Sequence, residues 1–394
     1  MIRHILKLMW NRKRSLAWIF IEQLLVFAVL LFILCNLSEN IAIQLAKGTV
    51  RMDNIVTVGF NSYETQQEDE REESVVQLRN MLERMKEWQS VECVSITYCA
   101  IPGTCITDDS LRYRENSHRA SIKYCDENYA RMFSLSISEG EWFRDSDAFS
   151  ETPPALITQL LADNMGITGS AIGQTIVFRG RTYRITGIVE AFKEKLNRVQ
   201  AAALFMPVYT KTDDSFGSFQ YAVKYKSGMS ADFSRAFYTE FYRYFPRDEF
   251  QPELIDRYKM RKQEDFINVT VLHYMQGIPT AFLLIFAFMG TFGVVWMQSK
   301  KRMSELGLRI ALGCTPARLQ RIIIFENLIL TTLAMLPGLI VAANLYAFAP
   351  KGWEWTAAVG AAVVLMWLFS AFSAWYPARQ AAKVQPVEAL KANQ

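Results

Sequence analysis

The chain has 394 residues, 51% hydrophobic and 21% charged, with a formal net charge of +4 and a mean hydropathy of +0.06. These averages hide a division: residues 39–276 hold 34 of the 39 acidic residues and 28 of the 43 basic ones, while the remainder is apolar with basic edges. The pattern excludes an ordinary cytosolic enzyme and a polytopic bundle with short loops, and it makes the +4 the sum of an acidic domain and basic membrane flanks, with no nucleic-acid surface implied.

Residues 1–16 begin with Ile2, Ile5, Leu6 and Met9 alternating with Arg3 and Lys7 at helical spacing, which predicts an amphipathic helix on the membrane surface. A bilayer core of about 30 Å needs roughly 20 apolar helical residues. Four segments meet that length: 17–37, 277–298, 322–348 and 355–376. The first is too long for a signal-peptide core and no small-x-small cleavage pattern follows it closely, so it reads as a span. Lys and Arg cluster before the first span, between the second and third, and after the fourth. The bias toward cytoplasmic basic flanks then places both termini and the 299–321 loop inside, and 38–276 and the short 349–354 loop outside.

The outward domain reads as α+β with two subdomains. Strands are expected at 54–60 and 91–99 around a helix whose apolar positions are Val75, Leu78, Leu82, Met85 and Trp88. The acidic run 64–73 reads as a solvated lead into that helix. Short helices follow at 126–133 and 159–165, strands at 155–158, 202–207 and 219–225, and a hairpin over 173–178 and 183–189. A helix is expected over 232–245. Residues 253–276 are expected to continue the second span outward as a helical stalk.

Cys93, Cys99, Cys105 and Cys125 lie in this domain, which permits one or two disulfides in an oxidising compartment or four buried thiols. The three histidines are scattered, and neither a zinc spacing nor a P-loop nor a nucleophile elbow is present. Two carboxylates fall near the ends of spans, Glu22 and Glu326. Each reads either as a snorkelling or ion-paired flank charge or as a functional intramembrane group.

The 299–321 loop is the informative stretch. Glu305–Leu312 forms a short helix stopped by Gly313, and Thr315 and Pro316 open the next helix. Such an element is either a basic anchor or a lever joined to two spans on which a cytoplasmic partner pushes. Glu305-Leu306-Gly307-Leu308-Arg309, then Ala311-Leu312-Gly313, resembles the signature of FtsX-like, MacB-type ABC transporter permeases. Gly290-Thr291-Phe292-Gly293 resembles the family's G-x-x-G, and the tail from Pro377 through Arg379, Ala381, Pro386 and Glu388-Ala389-Leu390 resembles its C-terminal pattern. Asp126-Glu127-Asn128-Tyr129 and Ile172-Gly173-Gln174-Thr175 resemble the MacB-type periplasmic core. Ile310 and Cys314 depart from the family's usual basic residue and alanine.

The resemblance implies a bacterial inner-membrane permease without catalytic residues, cofactor or metal of its own. ATP and magnesium would be bound by a separate ATPase present in two copies, and the permease would form a homo- or heterodimer. Glu305, Leu306, Gly307, Leu308, Arg309, Gly313 and Thr315 would couple the two, Arg309 by pairing with an acid on the ATPase. A membrane-fusion adaptor and an outer-membrane channel are further implied partners. The implied work is export of a small molecule, peptide or lipoprotein by mechanotransmission. The alternative is transmission of a signal to a periplasmic partner such as a cell-wall hydrolase, or ligand sensing.

Overall fold

The computed structural model describes residues 13–48, 50–63, 68–104, 107–196, 198–210, 219–348 and 352–382. The chain divides into two compact units, one made of Met1–Ala42 with Thr270–Gln394 and the other of Ile43–Val269.

The second unit is built on two strand–helix–strand crossovers. β1 (Ile55–Ser62), α2 (Glu68–Met85) and β2 (Val91–Tyr98) form the first; β10 (Gln220–Tyr225), α5 (Ser230–Tyr244) and β11 (Phe250–Asp256) form the second. The four strands pair in the order β11-β1-β10-β2, all antiparallel, which is a ferredoxin-like split βαβ arrangement. Alternation sets the faces. Val56, Val58, Val94, Tyr221 and Val223 meet Leu78, Met81, Leu82 and Met85 of α2 and Phe233, Phe237 and Phe241 of α5. Ile55, Cys93 and Ala222 point the other way, into an aromatic cluster that includes Tyr129, Phe133, Phe143 and Phe205.

Between β2 and β10 the chain inserts β3 (Asp108–Tyr113), β4 (Asn116–Cys125), α3 (Tyr129–Phe133), β5 (Ile137–Gly140), β6 (Pro154–Thr158), α4 (Gln159–Asn164), β7 (Thr175–Phe178), β8 (Arg181–Val189) and β9 (Ala203–Pro207). The order β4-β3-β7-β8-β6-β9 returns on itself because β4 also pairs with β9 in parallel, Ser121 to Ala203 through Cys125 to Pro207. The result is a closed barrel, which removes free edges. Leu111, Tyr113, Ile122, Tyr124, Ile157, Ile176, Ile185, Leu204 and Met206 fill it. Their neighbours one residue away, Leu156, Ala203 and Phe205, face the aromatic cluster. Period two thus gives each of these strands two apolar faces and two cores.

Two expectations change here and a third, that of the cysteines, is narrowed. Residues 250–256 form β11, paired along β1 from Val56↔Asp256 to Ser62↔Phe250, and helix α6 (Arg257–Asp265) starts only after it. Asp256 ends the strand and caps the helix by accepting from the Lys259 amide at 3.0 Å. The β3–β4 hairpin and β5 add strands where none were expected. Cys99 is disulfide-bonded, but Cys93 and Cys125 are free thiols, and Cys105 lies outside the described residues. Cys125 sits opposite Thr97, so Cys93 is four residues further along β2, about 13 Å away and beyond disulfide reach.

The membrane unit contains α1 (Lys13–Leu45), α7 (Leu272–Lys301), α8 (Met303–Ala311), α9 (Pro316–Phe348) and α10 (Trp353–Ala381). A π-helical turn at Phe266–Val271 joins α6 to α7, making one helical run from Arg257 to Lys301. Among the described residues, four helices are long and apolar enough to cross a membrane. Val26, Phe27 and Leu31 of α1 pack with Ala287, Met335, Ala342, Ala362 and Met366 of the other three. Gly338 lets α9 approach α1 closely, since a Cβ there would stand 2.9 Å from the Phe27 ring. The amphipathic helix expected over 1–16 lies outside the described residues up to residue 12.

Candidate functional site

Helix α8 is short and amphipathic, and its two faces have different work. Leu306 is 1% exposed, packed with Val295, Leu319, Ile323, Ala374, Ala378 and Ala381 from the ends of three spans. Leu308 and Leu312 are 54% and 79% exposed on the opposite side. Leu306 therefore anchors the helix in this chain's own core.

An ion-pair network fixes the helix's start. Arg302 Nε lies 3.2 Å from Glu305 Oε2, and its Nη1 lies 2.6 Å from Glu326 Oε2 on α9. Arg309 Nη2 lies 2.8 Å from Glu305 Oε1. Glu305 and Arg309 thus pair with each other one turn apart, and Arg309 is already committed within the chain. Glu326 is the flank charge of an ion pair, and its partner is Arg302. Nothing in the family-like motif singles out Arg302; the signal was its place three residues before Glu305.

The helix stops in a Schellman motif. The Gly313 amide donates to Ile310 O and the Cys314 amide to Arg309 O, each at 2.9 Å, with Gly313 at φ 91°. The Thr315 carbonyl then accepts from the amides of Arg318 and Leu319 at 3.0 Å, so α9 begins at once. Gly313, Thr315, Pro316 and Arg318 are exposed beside Leu308 and Leu312. The geometry is a corner: a buried anchor, a salt-bridged base, and an exposed apolar tip.

Glu22 of α1 meets α7. Its Oε1 accepts from Thr291 Oγ1 at 3.4 Å, and it packs on Gly290, where a Cβ would stand 2.5 Å from it. The first glycine of the G-x-x-G pattern thereby makes room for a carboxylate, while a Cβ at Gly293 would meet nothing. A buried polar cluster that no sequence motif marks lies on α9 and α10. Asn327 Nδ2 donates to Ser370 Oγ at 2.8 Å, and Thr331 Oγ1 to the same oxygen at 2.7 Å, tying α9 to α10. In a low-dielectric span these bonds replace water that is not there.

Residues 26–236 match the family MacB-like periplasmic core domain, and residues 278–386 match the family FtsX-like permease C-terminal. The chain belongs to the MacB/FtsX-type ABC transporter permeases. It is similar to the uncharacterized ABC transporter permease YknZ of Bacillus subtilis (strain 168), 24% identical over 304 residues that cover 72% of this chain and 74% of that one. It is also similar to the macrolide export ATP-binding/permease protein MacB of Vibrio parahaemolyticus, 22% identical over 302 residues, but spans only 44% of that protein's length. The crystal structure of the periplasmic region of MacB from Actinobacillus actinomycetemcomitans superposes on 54% of this chain with a TM-score of 0.39 and 14% identity.

The permease is thus a multi-pass membrane protein with a large α+β periplasmic domain between its first and second spans. The family-like residues of that domain hold the fold. Asp126 accepts from Ser95 Oγ at 2.6 Å and from the Ile96 amide at 2.7 Å, and Tyr129, fully buried, donates to Ala100 O at 2.6 Å. Trp142 Nε1 donates to Asp126 O. The motif therefore locks the exit of β4 onto β2. Among the described residues no cluster of His, Cys, Asp and Glu is arranged to hold a metal.

Proposed function

We propose that this permease carries force between a separate ATPase, seated on the tip of α8, and its periplasmic domain, and that the motion drives export of a small molecule, peptide or lipoprotein. The observation that carries this reading is the exposure of Leu308 and Leu312 on a helix whose other face is anchored by Leu306 and whose base is held by Arg302. A side chain pushed at the tip transmits the push because the helix cannot rotate independently of α7 and α9. ATP and magnesium belong to the ATPase, in two copies against a permease dimer. The basic flanks orient both termini toward the cytoplasm of a bacterial cell, with the corner on the same side.

Export is favoured over signal transmission to a hydrolase because relatives of similar sequence carry the name macrolide export. An adaptor and an outer-membrane channel complete the route if the cargo leaves the cell. The test is the ATPase activity of the complex. Leu312→Glu places a charge on the apolar tip and is expected to lower permease-dependent ATP hydrolysis at least tenfold while the permease's own melting temperature stays within a degree or two. Unchanged hydrolysis would remove α8 from the coupling surface. Intact hydrolysis without movement of any cargo would leave signalling as the reading.

A further inference from the structure

The periplasmic domain contains a cavity of about 620 Å³ between the barrel and the segment that follows β8. Asp108 and Arg119 from the β3–β4 hairpin line one side, and Glu194, Lys195, Arg198 and Val199 line the other. Its volume falls within the range of small-molecule sites.

The floor is built around a carboxylate. Glu194 is 12% exposed, and its Oε1 takes both the ammonium of Lys123, which is fully buried, at 2.6 Å and the hydroxyl of Ser121 at 3.2 Å. Both interactions fall on one oxygen, so Oε2 has no partner among the described residues. A buried ion pair is costly to maintain unless its remaining valence is used. The rim has the opposite character. Arg119 is engaged by Asp108 at 3.3 Å and Lys195 by Glu264 at 3.0 Å. The exposed Arg198 side chain has no partner among the described residues. Val199, 66% exposed, and the small Ala120, Ala201 and Ala202 give the wall between them an apolar surface.

The same segment also holds the chain's approaches to the membrane. Buried Lys193 donates to the carbonyls of Ile43, in the last turn of α1, and of Ala46 just beyond it, and Gln200 Nε2 donates to Lys47 O at 3.2 Å. Lys195 reaches Glu264 on α6. The wall of the cavity is therefore bonded to both helical segments that lead out of the domain.

We infer that this cavity is a binding site for a short zwitterionic peptide. The amine pairs with Glu194 Oε2, the carboxylate pairs with Arg198, and small apolar side chains rest on the alanine and valine wall. An occupant seated there bears directly on the segment that holds α1 and α6. The inference is independent of how α8 meets an ATPase.

The full-length permease in detergent, titrated calorimetrically with trialanine, tests it. Wild type is expected to bind, N-acetyl-trialanine to bind on the order of tenfold more weakly through loss of the amine charge, and trialanine amide to be weakened similarly. Arg198→Ala, an exposed change that leaves the fold alone, should weaken trialanine but not trialanine amide. Because Glu194→Gln strands a buried lysine, the double variant Lys123→Met, Glu194→Gln is used beside it; it should melt near wild type and lose the preference for the free amine. Absence of saturable trialanine binding to the wild type overturns the site. Equal binding of free and N-acetylated peptide overturns the amine pairing, and an Arg198→Ala variant that weakens acid and amide alike overturns the carboxylate pairing.

Discussion

Arg302 serves two carboxylates on two different helices, 14% exposed between Glu305 and Glu326. Removing one member of such a partly buried cluster leaves the others without a counter-charge. Arg302→Leu is expected to cost roughly 2–4 kcal/mol, read as a lower melting temperature, whereas Glu305→Gln, which leaves Arg302 on Glu326, should cost about 1 kcal/mol. Equal losses would show that Glu326 contributes nothing. In the periplasmic domain, burial pushes the Asp126 carboxyl up to about 6, against the lowering effect of bonds from Ser95, Ile96 and Asn128. A carboxyl raised in the folded state stabilises it in the protonated form. Its contribution is therefore full below about pH 4 and is lost as pH rises through 6, by at most about 3 kcal/mol. The stability difference between wild type and Asp126→Asn, followed by urea unfolding from pH 4 to 7.5, should change by that amount; a constant difference would show that Asp126 does not titrate there. Side-chain roles of this kind are hard to read in a sequence. The i,i+4 spacing of Glu305 and Arg309 was legible, but the choice between an internal and an external partner for Arg309 depends on where Arg302 folds back.

At the level of elements, two glycines mark positions where geometry decides. Gly313 sits at φ 91° in the motif that ends α8, so Gly313→Ala is expected to destabilise the corner by about 1 kcal/mol and to weaken permease-dependent ATP hydrolysis more than it lowers the melting temperature. An effect on melting alone would assign the glycine to folding and remove it from coupling. Gly338→Ala should destabilise the bundle through the Phe27 ring, and Phe27→Leu should recover part of the loss when combined with it. The helices, their stops and the β1–α2–β2 unit were legible because apolar spacing and caps are local. β11 was not, since Gln251, Glu253 and Asp256 look helical and polar on their own. Only pairing with β1 makes that segment a strand, and pairing is invisible to a local window. The β3–β4 hairpin was hidden for the same reason: β4 is polar over its first half, and its second half is buried on both faces although it carries Ser121 and Lys123, because β9 pairs with it there.

Across the whole molecule, the buried thiols give a simple measure of integrity. Cys93 and Cys125 sit in the aromatic cluster shared by the sheet and the insertion, with the Cys125 thiol fully buried and its ionisation pushed well above the usual thiol range by desolvation. Neither should react with a maleimide in the folded permease, and both should react in step with urea unfolding. Labelling of Cys125 ahead of unfolding would show that barrel and sheet separate. The whole-chain organisation, spans around one outward domain, was legible from the length of the apolar runs and the placement of charges. The closure of the barrel was not, because it depends on one parallel pairing between residues about eighty positions apart.

The insertion leaves and re-enters the sheet at neighbouring points, with Thr97 directly opposite Gln220. Topologically, everything between them is a cassette that a two-residue turn could replace. Physically it is not detachable, because Tyr129, Phe133 and Phe205 from the insertion cover Ile55, Cys93 and Ala222. Variation among relatives should therefore be partitioned: β3, β7 and the far side of β8 can be exchanged for new recognition surfaces, while the aromatic wall stays as the fixed socket that receives them.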